Sequence, residues 1–573
     1  MNGLQEPGGG GMERRAIMAT VLALIVLLVY QTYFAPTPLP PTEPERAEVE
    51  ETAAPAVPEA ALPSAVPKAL PPAAKASRRK AEPLRRGKRE EEIVLETDLL
   101  KVTLTNRGGG VRSWQLKKYE EPTGLVDLVG PIPDGGTPLS LTAWLRGGEG
   151  AKGLYRILER PTDDRSKPQR VVMEFQEASG TVLEKTVVLY PGRYLADVTI
   201  RVKNLGAGTA QDSLQLQWGP AFSLGGETPN SIAASPVAWI EGSLVSPNME
   251  EVEEELTQPG TATWTALQDK YFAVVLIPDE PKTSSLVAKD AEDRPIVGLL
   301  YPAKKIPAGR EATTELKLYA GPKEITRLRD AGHELRELIS LGWFDFLARP
   351  ALYFLRFLND FVNNYGVAII IITVLQKAIF YPLTQKSHKS MQAMQTLQPR
   401  IQAIKDKHKN NPKKVNEETM ELYKRHGVNP LGGCLPMIIQ IPIFIALYNA
   451  FASSVELWHA PFTLWITDLS SPDTLFALPF AIPYLGEGFP MRGLPLVMGI
   501  SMFIQQKMSP TGGDPRQAKM MLYLMPVMFT FIFWGMPSGL VLYWLVNNIL
   551  QIGHQYHMNQ GFSLPVVAGK EAG

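Results

Sequence analysis

The chain has 573 residues, and its 58 Lys and Arg balance its 58 Asp and Glu, so no global charge points to nucleic acid. One cysteine, Cys434, excludes both an intramolecular disulfide framework and a cysteine-based metal cluster. A mean hydropathy of −0.06 averages soluble, Pro-rich and strongly apolar stretches, so the sequence is read in sections.

Residues 1–15 precede a nearly uninterrupted apolar run, Ala16 to Phe34. At 1.5 Å per residue this run spans about 28 Å, close to one hydrocarbon core. Arg14 and Arg15 stand before it and Tyr30, Tyr33 and Phe34 close it, which places the amino terminus inside and exports the chain that follows. The run ends in Ala35-Pro36 with no small-x-small cleavage site. It is read as an uncleaved anchor, 16–34, with a removed signal peptide as the alternative.

Residues 35–92 read as a disordered linker. From Ala35 to Pro72 there are 11 prolines among Ala and Glu, too little apolar bulk to offset the entropy of ordering. Lys75 to Arg89 adds eight basic residues. They lie beyond the ~15–20 residues over which positive charge sets orientation, so a solvated spacer is expected.

From 93 to 323 short alternating runs are separated by Gly, Pro and Asn. Val198, Ile200 and Val202 alternate with Thr199, Arg201 and Lys203. Similar runs are Val182–Tyr190, Leu214–Trp218, Tyr271–Ile277 and Thr314–Tyr319, with turn signals at Asn106–Gly110 and Leu205–Gly208. More than ten strands in an exported β-sandwich are expected, without a catalytic constellation, since residues 93–321 hold no histidine. Residues 324–361 follow as amphipathic helices. Trp343, Leu347, Phe354, Leu358 and Phe361 recur at helical spacing, which predicts a helix lying along the outer interface and broken near Pro350; packing on the sandwich is the alternative.

Residues 362–558 carry five apolar spans, Tyr365–Leu383, Leu431–Ala452, Leu494–Gln505, Met521–Trp534 and Leu540–Ile552. Several fall short of the ~20 residues a lone span needs, which implies a thinned bilayer or support from neighbours. Between the first two, Ser387–Asn429 holds nine Lys or Arg against four acids, whereas Val455–Arg492 holds one basic residue against four acids. The first is therefore cytoplasmic and the second external, with both termini inside. Within the cytoplasmic segment, 385–429 reads as a helical hairpin turning at Asn410-Asn411-Pro412, and 559–573 is a cytoplasmic tail. Together these give an α+β membrane protein with six transmembrane helices, an anchor plus a five-helix core, an external β-sandwich and a cytoplasmic hairpin.

Lys377 departs furthest from ordinary packing. It lies about seven residues, roughly 10 Å, inside the cytoplasmic end of its span, beside Gln376 and one turn past Thr373. A cation at mid-helix costs roughly 2.5–3.5 kcal/mol, so it is expected to face a wet hollow; snorkelling to the interface is the alternative. Gln440, Tyr543 and Trp544 are further candidates to line that hollow. No acid at membrane depth partners Lys377, which argues for an unpaired, hydrated cation. Methionines from Met498 to Met528 suit a surface that takes varied apolar partners and serve equally as packing. Leu431-Gly432-Gly433-Cys434 mimics a lipoprotein box but opens an internal span, so Cys434 is read as a helix-packing residue.

Tyr381-Pro382-Leu383-Thr384, Asn429-Pro430-Leu431-Gly432-Gly433-Cys434, Gln440-Ile441-Pro442-Ile443-Phe444 and Pro537-Ser538-Gly539-Leu540 resemble, in order and spacing, the YidC membrane insertase family. Trp218-Gly219-Pro220 and Leu318-Tyr319-Ala320-Gly321-Pro322 resemble the periplasmic domain of its Gram-negative members. The resemblance implies a protein of the bacterial inner membrane that helps membrane proteins insert and fold. It implies a five-helix core around a hydrophilic groove that is closed outside and holds one functional cation, at the position of Lys377. Many members carry Arg there, so Lys keeps the charge but not planar bidentate pairing. Thr373, Gln440, Tyr543 and Trp544 match groove or client-contact positions. The implied partners are nascent membrane-protein clients, lipids, the Sec translocon and, through cytoplasmic loops, the ribosome. The long basic tail of some relatives is missing, and the external loop near Phe480–Arg492 is longer. No enzyme activity, nucleotide, metal or other cofactor is expected.

A rival reading, a small-solute transporter using the cation as an anion site, lacks inverted repeats. An intramembrane hydrolase lacks H-E-x-x-H, G-x-S-x-G and paired intramembrane aspartates. His554 and His557 have a spacing that a metal can share and read better as interfacial polar caps.

Overall fold

The computed structural model describes residues 84–560, apart from 122–123, 130–140, 146–148, 220–233, 254, 281–282, 290–292, 410, 430–434, 480–487 and 510–514. The anchor 16–34, most of the linker, Cys434 and the tail beyond Gln560 therefore lie outside the described residues.

Alternation of apolar and polar side chains decides the first half. In the strand Leu195–Asn204 every second residue is buried, from Ala196 through Val198, Ile200 and Val202. The outward Arg201 and Lys203 meet Glu184 of the neighbouring strand at 2.9 and 2.6 Å. Among the described residues twenty strands occur between Glu92 and Pro322, more than the sequence pattern resolves. Nine form one antiparallel sheet, running from Ser243–Val245 through Phe272–Pro278, Glu311–Pro322 and Leu195–Asn204 to Arg156–Glu159 at its far edge. A five-stranded sheet containing Leu214–Trp218 packs on one half of it, and a four-stranded sheet covers Glu92–Asp127. Trp114 and Trp218, both fully buried and 5.8 Å apart in a T-shaped contact, join the two smaller sheets. The turn at Asn106–Gly110 forms as its sequence requires, with Gly108 and Gly109 at φ +62° and +57°.

The linker needs a correction at its carboxyl end. Residues 84–91 dock on the sheet instead of remaining solvated. Gly87 N–H donates to Leu154 O at 2.8 Å, and the Arg86 guanidinium lies over the Phe175 ring, 4.6 Å from its centroid. A side chain at Gly87 would meet Tyr155 O at 2.5 Å. Close backbone approach, which composition does not report, decides the matter. A second unexpected feature is Lys185, fully buried, whose ammonium donates to the backbone oxygens of Gly109 and Leu141. Desolvation lowers it to about 7.

Nine α-helices follow among the described residues: α1 (Ile325–Ala331), α2 (Asp345–Val362), α3 (Tyr365–Thr396), α4 (Gln398–Lys407), α5 (Pro412–Arg425), α6 (Leu435–Ser453), α7 (Gly493–Met508), α8 (Pro515–Phe533) and α9 (Ser538–Gln560). The expected break at Pro350 does not occur. Proline sits within α2, whose buried face of Ala348, Leu352 and Leu355 continues across it. Large apolar side chains are left exposed away from that face, with Trp343, just ahead of α2, 97% exposed and Phe346 and Phe361 about 70%. Asn363, at φ +50°, closes α2, and Asn364 caps α3 by accepting from Val367 N–H at 3.1 Å.

α3 runs on past Pro382 to Thr396, so the span and the first arm of the hairpin are one continuous helix, and Met391 and Met394 belong to it. Asn411 caps α5 with Pro412 at its first position, as the Asn-Pro turn demands. Among the described residues α3 is the one helix long and apolar enough to cross a membrane unaided; Ile438–Ser453 and Lys519–Phe533 are shorter apolar stretches. α9 packs against α7 and α3, and α7 against α8. Outward faces stay apolar, with Ile379 71%, Phe531 74% and Ile500 62% exposed, which a water-facing surface does not tolerate in such extent.

Candidate functional site in the helical bundle

α3, α6 and α9 converge on a polar seam. Gln440 of α6 donates through Nε2 to the Tyr543 hydroxyl of α9 at 2.6 Å, and Gln376 of α3 interacts with the same hydroxyl. Tyr543 is fully buried. Next to it, Lys377 is half-buried and donates from Nζ to Asn547 Oδ1 at 3.1 Å. Tyr543 and Asn547 are four residues apart on α9, hence on one face, and this pair receives the Gln376–Lys377 corner of α3.

Lys377 is thus not unpartnered, although its partner is a neutral amide and not a carboxylate. An amide leaves the positive charge uncompensated, and an ammonium has three donors, of which Asn547 takes one. The Gln376 Oε1 is buried without a hydrogen-bond partner among the described residues. The seam can therefore bind an acidic or carbonyl-rich segment at Lys377 and an N–H donor at Gln376, with a hydroxyl held between them.

The other two sequence candidates point elsewhere. Thr373 is buried and its hydroxyl donates to Ile369 O of its own helix at 2.7 Å. Trp544, beside Tyr543 but rotated about 100° around α9, packs edge-on to Phe444 at 4.9 Å and against Phe533 at 5.3 Å. It belongs to an aromatic cluster on α6, α8 and α9. The seam thus has a polar half and an aromatic half.

Sequence reading missed Asn547 and the polar residues beyond it. Asn548 donates to Ser501 Oγ at 3.0 Å, and Gln555 to Ser509 Oγ at 3.0 Å, lacing α9 to α7. His388 of α3 and His554 of α9 face each other edge-on with ring centroids 5.7 Å apart, so His554 pairs across helices and not with His557. The signal for these was the i, i+4 step from Tyr543 to Asn547 and the Asn547-Asn548 pair inside an otherwise apolar run. Among the described residues no group of three or more metal-ligating side chains occurs.

At the opposite end of the bundle a loop closes over the helices. Ser538, which opens α9, donates from its backbone N–H to Ser471 O at 2.8 Å, and Gly539 N–H donates to Leu469 O at 2.9 Å. Asp473 accepts from Trp465 Nε1 at 2.8 Å and from Leu494 N–H at 2.9 Å. Trp458 of this loop reaches the β-rich half, packing on Phe272 at 5.3 Å. Glu456, half-buried and near Glu324, is held above the usual carboxylate range by desolvation.

Two family models divide the chain between them: the YidC periplasmic domain matches residues 92–354 and the 60Kd inner membrane protein matches residues 357–564. The membrane protein insertase YidC of Syntrophus aciditrophicus (strain SB) is 36% identical over 563 residues, covering 96% of this chain and all of the relative. The chain belongs to the YidC membrane protein insertase family. The YidC of Geotalea daltonii is likewise 36% identical over 567 residues, covering 97% of this chain and 100% of that one. A crystal structure of an active YidC insertase with its first transmembrane domain resolved covers 83% of this chain and 95% of its own, at 20% identity and a TM-score of 0.34. As a YidC insertase the protein serves membrane-protein clients in the inner membrane and carries a mostly β-sheet periplasmic domain, as the sequence motifs implied.

Proposed function

We propose that the polar seam is the place where a client's polar segment enters the bilayer. Lys377 draws the acidic or carbonyl-rich external segment of a client inward, Gln376, Gln440 and Tyr543 supply exchanging hydrogen bonds, and the client's apolar helix leaves along the exposed faces of α3 and α9. The observation that carries this reading is the amide partner of Lys377: the charge is held in position at 3.1 Å but left unneutralised. Thr373 supports the wall of the seam by packing, and Trp544 presents the aromatic side on which an apolar client helix slides. The driving force is client burial in lipid, roughly 0.3–0.6 kcal/mol for each strongly apolar residue, with the membrane potential acting on acidic residues. No nucleotide enters the scheme and no bond is made or broken.

The topology that goes with it has six spans, the anchor 16–34 and α3, α6, α7, α8 and α9, with both termini and the α4–α5 hairpin in the cytoplasm. The loop over Ser538 and Asp473 then lies on the periplasmic side and closes the seam there. The Sec translocon is a partner at the lateral face, and ribosome contact runs through the basic hairpin. A photoreactive amino acid placed at Gln440 or Tyr543 tests the reading. It is expected to crosslink a stalled nascent client, while the same probe at Arg294 in the β-rich half does not; equal crosslinking from both, or none from the seam, overturns it.

A further inference from the structure

A recess of about 440 Å³ lies where α3 leaves its apolar stretch and passes the end of α5. Lys386 and Lys389 stand one turn apart on α3 at its wall, with Ser387 and Ser390 between and beyond them, Leu383 on the membrane side and His426 opposite. The two walls are tied together, since Ser390 Oγ donates to Asn429 O at 3.0 Å. Both lysines are exposed, and neither has an ion-pair or hydrogen-bond partner among the described residues. Among the described residues no carboxylate lines the recess. His426 engages both ring nitrogens: Nδ1 donates to Leu422 O at 2.8 Å, which leaves Nε2 to accept from Arg400 at 2.9 Å. Arg400 therefore adds a third cation near the rim.

A cationic recess that meets an apolar helix end has the chemistry of an amphiphile site. Ile379, 71% exposed, is seven residues before Lys386 and so on the same face of α3, two turns nearer the bilayer centre. An acyl chain against Ile379 would place its phosphate, roughly 10 Å higher, between the two lysines. We propose that this recess binds the headgroup of an anionic glycerophospholipid and thereby fixes the hairpin exit against α3. The proposal rests on α3 spanning the membrane, as inferred above, and on no property of the seam at Lys377.

The test uses the full-length protein in nanodiscs of phosphatidylcholine with a minority of photoreactive phosphatidylglycerol, followed by native mass spectrometry and peptide mapping. Lys386→Gln/Lys389→Gln is compared with Lys413→Gln/Lys414→Gln, which removes equal charge from the hairpin arm. A basic residue near an anionic surface is worth about fivefold in binding, so the first variant is expected to lower phosphatidylglycerol retention about 30-fold and the second little. Crosslinks from the headgroup are expected in residues 383–390. Equal losses in both variants, or no retained lipid in the unaltered protein, overturn the proposal. Displacement by inorganic phosphate identifies a soluble-anion site and overturns the lipid source. Unchanged lipid retention with lost ribosome co-sedimentation identifies an RNA contact and overturns it as well. An acyl-chain photolabel on Ile379 reports separately whether α3 lies in the bilayer, and a matched elution profile on gel filtration shows that the variants fold.

Discussion

Replacing Asn547 by Ala isolates the contact that organises the seam. Its Oδ1 accepts from the Lys377 ammonium at 3.1 Å, a charge-assisted bond worth about 1.5–3 kcal/mol net. Lys377 is only half-buried, so water takes back part of the loss and the lower end, about 1.5 kcal/mol, is expected. A double-mutant cycle with Lys377→Met, read by reversible unfolding in mixed micelles, separates this bond from simple truncation. Asn547→Ala is expected to cost about 1.5 kcal/mol with Lys377 present and less than about 0.5 kcal/mol in the Lys377→Met background. Equal costs in both backgrounds would show that Asn547 packs α9 without holding the cation, and the geometry argued for the seam would be wrong.

Tyr543→Phe removes the hydroxyl that Gln440 donates to and that Gln376 also reaches, and should cost about 1–3 kcal/mol; adding Gln440→Leu should return part of it, because the Gln440 amide is then no longer left unpaired although Gln376 still is. Thermal unfolding in detergent decides this, and no recovery in the double variant counts against the pairing. Gly499→Ala drives a methyl into Thr530 Oγ1, which is itself held by Pro526 O, and should destabilise the α7–α8 contact by about 1–3 kcal/mol, with Thr530→Ala recovering most of the loss in the same thermal assay. Lys185 and Lys323 both titrate low in the folded protein, at about 7 and about 8, because burial disfavours their charge. The unfolded chain then binds protons more tightly, so stability of the β-rich half should rise with pH from about 7 towards the ordinary lysine range, each group adding at most about 1.4 kcal/mol per pH unit. Lys185→Met should remove the part of that slope that begins at the lower pH. An unchanged slope, followed by tryptophan fluorescence during denaturation, refutes the assignment.

Where local chemistry was enough, the residues were readable. The alternation at Val198, Ile200 and Val202, the glycines of the Asn106–Gly110 turn and the Asn411-Pro412 helix start all produce the elements they imply. The seam was partly readable because a lysine, two glutamines and a tyrosine are conspicuous in apolar helices. What stayed hidden depends on neighbours distant in sequence. Residues 84–91 look like a spacer until Gly87 meets Leu154 and Tyr155, and Pro350 looks like a breaker until Ala348, Leu352 and Leu355 bury one face across it. Tyr543 and Trp544 are adjacent in sequence and seemed one feature, yet their rotation about α9 sends one to the polar seam and the other to Phe444 and Phe533. Asn547 was passed over because a neutral amide costs less in lipid than a charge, so it stands out only once Lys377 is seen to need it.

In the proposed mechanism the uncompensated cation at position 377 draws the client inward. The most direct measurement is insertion of a small client with an acidic external tail, in cells depleted of their own insertase and supplied at matched levels with this protein, either unaltered or carrying Lys377→Arg or Lys377→Ala. Rescue by the unaltered protein and by Lys377→Arg but not by Lys377→Ala is the expected result. Full rescue by Lys377→Ala for every client tested would contradict the claim, leaving insertion to the apolar faces of α3 and α9 and to the thinned bilayer.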